Sequence, residues 1–428
     1  MLKRNISRSW LVFVLWVLAT AVAFITTDSV FFTLAYLLGG ILIFSFLWAW
    51  ANLHWVRVTR VTPSIHSQVG QMVEERFLVE NTGFLPKLWL EVLDHSELPG
   101  HRASFVVSGV GRGESRSHTV RTMSLRRGRF RLGPVTVRTG DPFGLFVFQR
   151  QLPLEKYLVV YPRTVPLPYF QPLLGELTGG EVVRRRTHYV TTNVSGVREY
   201  APGDSFNRIH WRSTARTGRL MVKEFELDPM SDIWLVLDME RSVHVGVAYE
   251  DLPRVSVPEV PWESWHVPEL SPSTEAYSIV TAASVVRHFL RQERSVGLLT
   301  YPAGSHVEIV QSDRGLRQEE RLLETLVVLH PRGTINLEQI LLAEGTRFDR
   351  NTTVMVITPS IRPAWVGAVR HLASRGVKIT AVVIDPASFG ASYGADEVLA
   401  ELAAGHVPSY TVHYGDDLSV ALANMPGR

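Results

Sequence analysis

The chain contains no cysteine, which excludes disulfides and thiolate metal sites and leaves the compartment open. Charge is sparse: Asp, Glu, Lys and Arg make up 20% of 428 residues, slightly less than a soluble protein usually carries. The formal balance of +3 is too slight to point to nucleic acid. No two histidines have the His-x-x-x-His spacing of a helical metal site, so His188, His210, His244 and His266 read as packed or solvated. No repeat of solenoid length is present. The length exceeds one ordinary domain and suffices for two or three, and 46% hydrophobic residues allow a packed core.

Two stretches lack charge altogether. Residues 10–25 read WLVFVLWVLATAVAFI, and residues 30–51 read VFFTLAYLLGGILIFSFLWAWA. As helices they measure roughly 24 and 33 Å, against a hydrocarbon core of about 30 Å. Only Thr26 to Ser29 separate them, so residues 1–55 read as a transmembrane helical hairpin. Trp10, Trp48, Trp50 and Trp55 stand near its ends, where amphipathic rings favour the headgroup zone. Lys3, Arg4 and Arg8 precede the first run and Arg57 and Arg60 follow the second, while the loop holds only Asp28. That asymmetry predicts a multi-pass cell-membrane protein with both ends and its soluble domains in the cytoplasm. The competing reading is a signal peptide cleaved after Ala21-Val22-Ala23; the second apolar run argues against it.

Residues 56–170 show short β patterns and no useful helical period. Phe77–Asn81 runs into the turn signal Thr82-Gly83, and Leu88–Asp94 follows. Ala103–Ser108 and Ser117–Met123 read as strands, and Phe130–Arg138 as a hairpin. The expectation is a small all-β domain, a sandwich or barrel. From residue 231 to 428 the texture becomes α/β. Apolar strands at 233–237, 295–301, 306–311, 353–358, 378–384 and 409–414 alternate with helical patterns at 274–294, 316–329, 363–374 and 396–404. Such alternation predicts a parallel sheet covered on both faces. Residues 243–272, with five prolines, read as a surface excursion.

Residues 171–230 join the two domains and carry an unusual segment. Between Arg184 and Glu224 stand nine Lys or Arg against three Asp or Glu. Asp204 is placed to cap a short helix ending at Gly218, and Leu220–Glu226 reads as a strand. Tyr200, Gly203, Asp204, Arg208, Ile209, Trp211, Ala215, Arg216, Leu220, Val222, Lys223 and Glu224 resemble, in register, the signature of domain of unknown function 58. Residues 127–130 (RGRF) and 141–146 (DPFGLF) are similar to that family's β region, and the two apolar runs fit its layout. The resemblance implies a von Willebrand factor A-like domain after the signature. It also implies MoxR-type AAA+ ATPases and transglutaminase-like membrane proteins as gene neighbours, hence a role in assembly. It implies no reaction.

For the signature, the expected role is structural or docking. Arg208, Arg212 and Arg216 are placed to pair with Asp204, Glu199 and Glu224. The alternatives are acid–base work by Asp204, His210 and Lys223, or nucleic-acid contact by Arg184–Arg186 and the arginines of 126–131. For the latter clusters anionic lipid is the simpler partner, at about 1 kcal/mol per charge. The A-type fold often holds a divalent cation through Asp-x-Ser-x-Ser after its first strand, a later Thr, and an Asp after its fourth strand. Here Asp238, Glu240, Ser242 and Thr334 fall at those places, Glu240 replaces a serine, and Pro359-Ser360 stand where the last Asp is expected. This degenerate set predicts weak Mg²⁺ binding at best. The resulting expectation is a membrane-anchored, non-enzymatic adaptor. A metal-dependent hydrolase using Asp238 and Glu240, and an extracytoplasmic adhesion module, are the rivals.

Overall fold

The computed structural model describes residues 6–170, 172, 194–201, 206, 209–225, 232–247, 270–350 and 352–423. Two helices open it, α1 (Ile6–Thr26) and α2 (Ser29–Leu53), each extending a charge-free run by a few residues. Their connection is tighter than expected: Thr27, left-handed at φ 54°, and Asp28 suffice. The Asp28 carboxylate caps α2 by accepting from the Val30 N–H at 3.1 Å. Both helices are long and apolar enough to cross a membrane, and little of either is buried.

The chain divides into two compact units, the first comprising, of the described residues, 6–163, 270–271 and 323–329, the second the remainder. The first contains these helices and ten strands: β1 (Val56–Val61), β2 (His66–Gln68), β3 (Met72–Asn81), β4 (Lys87–Asp94), β5 (Phe105–Val110), β6 (Ser115–Met123), β7 (Gly128–Leu132), β8 (Val135–Gly140), β9 (Val147–Leu152) and β10 (Lys156–Tyr161). They form three sheets, ordered β1-β3-β6, β5-β4-β8-β9 and β2-β10-β7. Inward residues of the first two share one core, Val58, Phe77 and Val120 meeting Leu90, Val107 and Val137. Alternation produces this: β1 buries Val56, Val58 and Arg60 while its other side chains face outward. The expected Phe130–Arg138 hairpin is corrected. β7 pairs with β10 and β8 with β4 and β9, so the chain changes sheets at Gly133. Gly133 has φ 88°, and a Cβ there would meet the Leu154 carbonyl at 2.3 Å.

Two buried polar arrangements brace this unit. The Lys87 ammonium, fully buried, donates to the carbonyls of Ala51 at 2.8 Å and His54 at 3.0 Å, satisfying the end of α2. Arg60 donates to both Glu75 oxygens, at 3.1 and 2.6 Å, and to Asp94 at 3.1 Å. His101 Nε2 lies 3.1 Å from Glu75 and 3.2 Å from Asp94. Two cations thus meet two carboxylates, which is how a core tolerates charge.

The second unit begins at Thr164. The Val165 N–H donates to Ser284 Oγ, and Phe170 packs on Phe289 and Tyr410. The described residues of the signature segment group with this unit. It holds β11 (Val194–Glu199), α3 (Trp211–Thr217) and β12 (Met221–Phe225), with β11 and β12 antiparallel. The α/β elements follow: β13 (Ile233–Leu237), α4 (Thr274–Arg291), β14 (Val296–Gly304), β15 (His306–Asp313), α5 (Leu316–Val328), β16 (Arg332–Gly333), α6 (Leu337–Glu344), β17 (Thr353–Thr358), α7 (Ala364–Ser374), β18 (Lys378–Ile384), α8 (Asp396–Ala404), β19 (Ser409–Val412) and α9 (Leu418–Ala421).

The sheet order is β15-β14-β13-β17-β18-β19, with β16 beside β14. All pairs are parallel except β14 with β15, so the edge strand departs from the fully parallel expectation. On one face Trp234, Val236, Val354 and Val356 pack under α6, α7 and α8 through Leu341, Trp365, Val369 and Leu402. The strands are buried along their whole length, which is why they read as unbroken apolar runs. Helix α6, absent from the sequence expectation, starts at the Asn336 cap, whose side chain accepts from the Gln339 N–H at 2.9 Å.

Candidate functional site

Strand β13 is the first of the sheet in sequence, and β17, its neighbour, lies beyond an excursion to the opposite edge. The strand order therefore reverses between them, and the crevice at their carboxyl ends is where such sheets place ligands. Asp238 follows β13 there, and Thr358, Pro359 and Ser360 end β17.

Asp238 is fully buried and both its oxygens are committed. One accepts from the Glu240 N–H at 3.0 Å, the other from the Thr358 hydroxyl at 2.7 Å. Burial pushes its carboxyl up to about 6, the Glu240 charge adds to that, and the Thr358 hydrogen bond offsets part of it. Glu240, almost buried, holds the Arg362 guanidinium at 2.8 and 2.9 Å from its two oxygens. Ser242 donates to Glu240 and accepts from Arg362 Nη2 at 2.9 Å. Ser360 is buried; its N–H donates to Thr358 Oγ1, and its hydroxyl accepts from the Arg362 N–H. The His244 Nε2 sits 3.0 Å from the Asp238 carbonyl, to which it must donate, and burial lowers the affinity of this imidazole for a second proton.

Asp238, Glu240 and Ser242 are thus brought together. Thr334 is not joined to them by its side chain, which is exposed. Only its neighbour Gly333 touches the site: its N–H donates to the Met239 carbonyl at 3.0 Å, and a Cβ there would collide with the Tyr301 carbonyl at 2.2 Å. Sequence reasoning missed Arg362. Its charge fills the position between Glu240 and Ser242 that a bound cation would need. Mg²⁺ asks for six oxygens in near-octahedral array. With Asp238 fully buried and each of its oxygens already accepting a hydrogen bond, and with Glu240 held by a guanidinium, the residues present do not fit that ion. Among the described residues, no group of three or more His, Asp or Glu side chains could hold a metal.

The signature is a hairpin with a short helix across its mouth. Ile209 and Val222 form its buried centre and pair with each other. The expected cap is corrected. Helix α3 starts at Trp211, and its N-cap is His210, whose Nδ1 accepts from the Ser213 N–H at 3.2 Å. Gly218, at φ 69°, closes it as expected. Since Nδ1 accepts, the His210 ring proton resides on Nε2. Glu199 pairs with Arg219 at 2.7 Å, and that pair is exposed. Trp211 is 68% exposed, and Arg212 and Arg216 are exposed beside it. Phe206 is equally exposed and packs on Tyr200 with ring centroids 5.8 Å apart. Lys223 is half-buried on β12 opposite Val197. Gly203, Asp204, Arg208 and the Glu224 side chain lie outside the described residues, as do Arg184–Arg186.

Residues 196–255 match a family model described as Protein of unknown function DUF58. Over 135 residues the chain is 30% identical to the uncharacterized protein YeaD of Bacillus subtilis (strain 168), covering 32% of this chain and 30% of that relative. The match therefore spans under a third of the relative's length. Among solved structures, the conserved hypothetical protein BatB from Bacteroides thetaiotaomicron aligns with 45% of this chain and 95% of its own, at 10% identity and a TM-score of 0.29. The pilus adhesin SpaC from Lactobacillus rhamnosus GG aligns with 47% of this chain and 30% of its own, at 9% identity and a TM-score of 0.29.

Proposed function

We propose that the chain is a membrane-anchored adaptor, not an enzyme, which docks other proteins through its second unit. The observation that carries this reading is the Glu240–Arg362 pair, which closes the crevice with the protein's own charge. What remains at the rim is shape, hydroxyls and one half-exposed guanidinium, all suited to recognition. A second support is the exposed Phe206, Trp211, Arg212 and Arg216 of the signature hairpin, residue types enriched at protein interfaces.

The α/β region is read as von Willebrand factor A-like. In support, β13 and β17, the first and fourth strands if the two-residue β16 is left aside, are neighbours, and their ends carry Asp238 and Ser360 at one edge. The two helices serve as the anchor, and the basic residues flanking them favour a cytoplasmic soluble part. The partner class implied by the resemblance is a MoxR-type AAA+ ATPase, in assembly or maturation of other proteins.

The test uses the full chain in lipid nanodiscs and a purified MoxR-type ATPase from the same organism, with ATP. Capture of the ATPase, lost on Trp211→Ala, is expected. Absence of capture by the intact chain, or an Mg²⁺-dependent hydrolysis abolished by Asp238→Ala, contradicts the adaptor reading.

A further inference from the structure

The last turns of α2 are not free for lipid on all sides, because aromatic side chains of the first unit lie against them. Phe44 meets Phe143 edge-on with ring centroids 6.4 Å apart. Phe46 meets Phe146 at 5.7 Å and Phe148 at 5.6 Å. Further along, Trp50 packs on Trp55 at 6.1 Å, and Trp55 on Phe84 at 5.5 Å.

Bilayer thickness turns these contacts into depths. With the Asp28 cap at one headgroup zone, a hydrocarbon core of about 30 Å is filled by α2 from Val30 to about Ala49. Phe44 lies only about 21 Å along that path, so about 9 Å of hydrocarbon remains beyond it. Any helix tilt lengthens the path and sets Phe44 deeper still. Phe143, held against Phe44, must therefore lie below the headgroups, whereas Trp50, Trp55 and Phe84 fall at headgroup level.

The loop that carries Phe143 is built for such a place. Asp141 accepts from the N–H of Phe143 at 2.9 Å and of Phe146 at 2.6 Å. The Gly144 N–H donates to the Asp141 carbonyl at 3.2 Å, the Asp141 N–H to the Phe146 carbonyl at 3.2 Å, and Pro142 has no N–H to satisfy. Each N–H met in this way lowers the cost of placing the loop in hydrocarbon. Gly144 takes the left-handed φ of 69° that the tight turn requires, leaving Phe143 at the tip, 58% exposed.

We propose that the loop of residues 141–146 is a membrane-inserted clip that immerses Phe143 in the acyl region. The first unit then rests on the bilayer instead of hanging from a tether. The proposal rests on the reading that α1 and α2 span the membrane, and its ligand is the lipid acyl chain, whatever the headgroup charge.

Because the chain has no cysteine, single-cysteine labelling is clean. Four full-length variants, Phe143→Cys, Phe84→Cys, Leu37→Cys and Val106→Cys, are spin-labelled in phosphatidylcholine liposomes. Collisions with oxygen and with a water-soluble nickel chelate then report depth. All four side chains are exposed, so the label displaces no core. The expected result is a label at 143 about 5–10 Å below the headgroup boundary. The label at 84 should lie at that boundary, the label at 37 near mid-bilayer and the label at 106 in water. A label at 143 as nickel-accessible as that at 106, with Leu37→Cys still immersed, overturns the clip alone. Nickel access at position 37 overturns the spanning helices, and the clip with them.

Discussion

Arg362 is the residue on which the reading of the crevice turns. Its guanidinium is half exposed, but Glu240 beneath it is almost buried, so removing the arginine leaves a carboxylate poorly solvated. Arg362→Ala should lower the stability of the second unit by about 1–2 kcal/mol, a figure discounted for the exposure of the guanidinium. Adding Glu240→Gln should restore most of the loss. Denaturant unfolding of the single and double variants measures this coupling, and strictly additive losses would contradict it. The Arg60 cluster predicts a pH dependence. Burial opposes ionisation of Glu75 and Asp94, yet the hydrogen bonds from His101 and its neighbours outweigh it and hold both carboxyls below their ordinary range. Burial likewise opposes charging His101, but Asp94 and Glu75 raise its affinity for the proton. The carboxylate contribution is present above the unfolded value of about 4 and lost as pH falls through the lower folded values. The His101 contribution is complete below about 6.5 and lost as pH rises through the raised folded value. Thermal stability should therefore fall on the alkaline side, and His101→Gln should flatten that limb. Neither group was legible beforehand. Arg362 and Glu240 are far apart in the chain, and the four cluster members come from separate segments. The one available signal was Arg60, which shares the inward face of β1 with Val56 and Val58.

At the scale of elements the sequence was more informative. Charge-free runs announced α1 and α2, and unbroken apolar runs announced β13, β17 and β18, because a strand buried on both faces tolerates little else. Pairing partners were not legible: β7 and β8 adjoin in sequence yet enter different sheets, since register depends on surfaces the local pattern does not encode. Helix α3 illustrates the same limit. Its glycine stop was visible, but its cap proved to be a histidine, and its tryptophan turned out exposed. Trp211→Ala should consequently leave thermal stability within about 0.5 kcal/mol, the usual range for a surface change. A loss several times larger would mean that this side chain is buried in the folded chain.

For the molecule as a whole, basic residues at both ends of the apolar pair and a single Asp28 between them predict that a reporter fused after Arg428 is active only as a cytoplasmic fusion. An extracytoplasmic signal would favour the adhesion alternative. On the proposed reading the second unit supplies its own cation through Arg362 and works by docking. Titrating Mg²⁺ into the full chain in nanodiscs by calorimetry, beside Asp238→Ala, tests it most directly. The expected result is a dissociation constant no tighter than about millimolar, near −4 kcal/mol, and little changed by the substitution. Micromolar binding abolished by Asp238→Ala would contradict it.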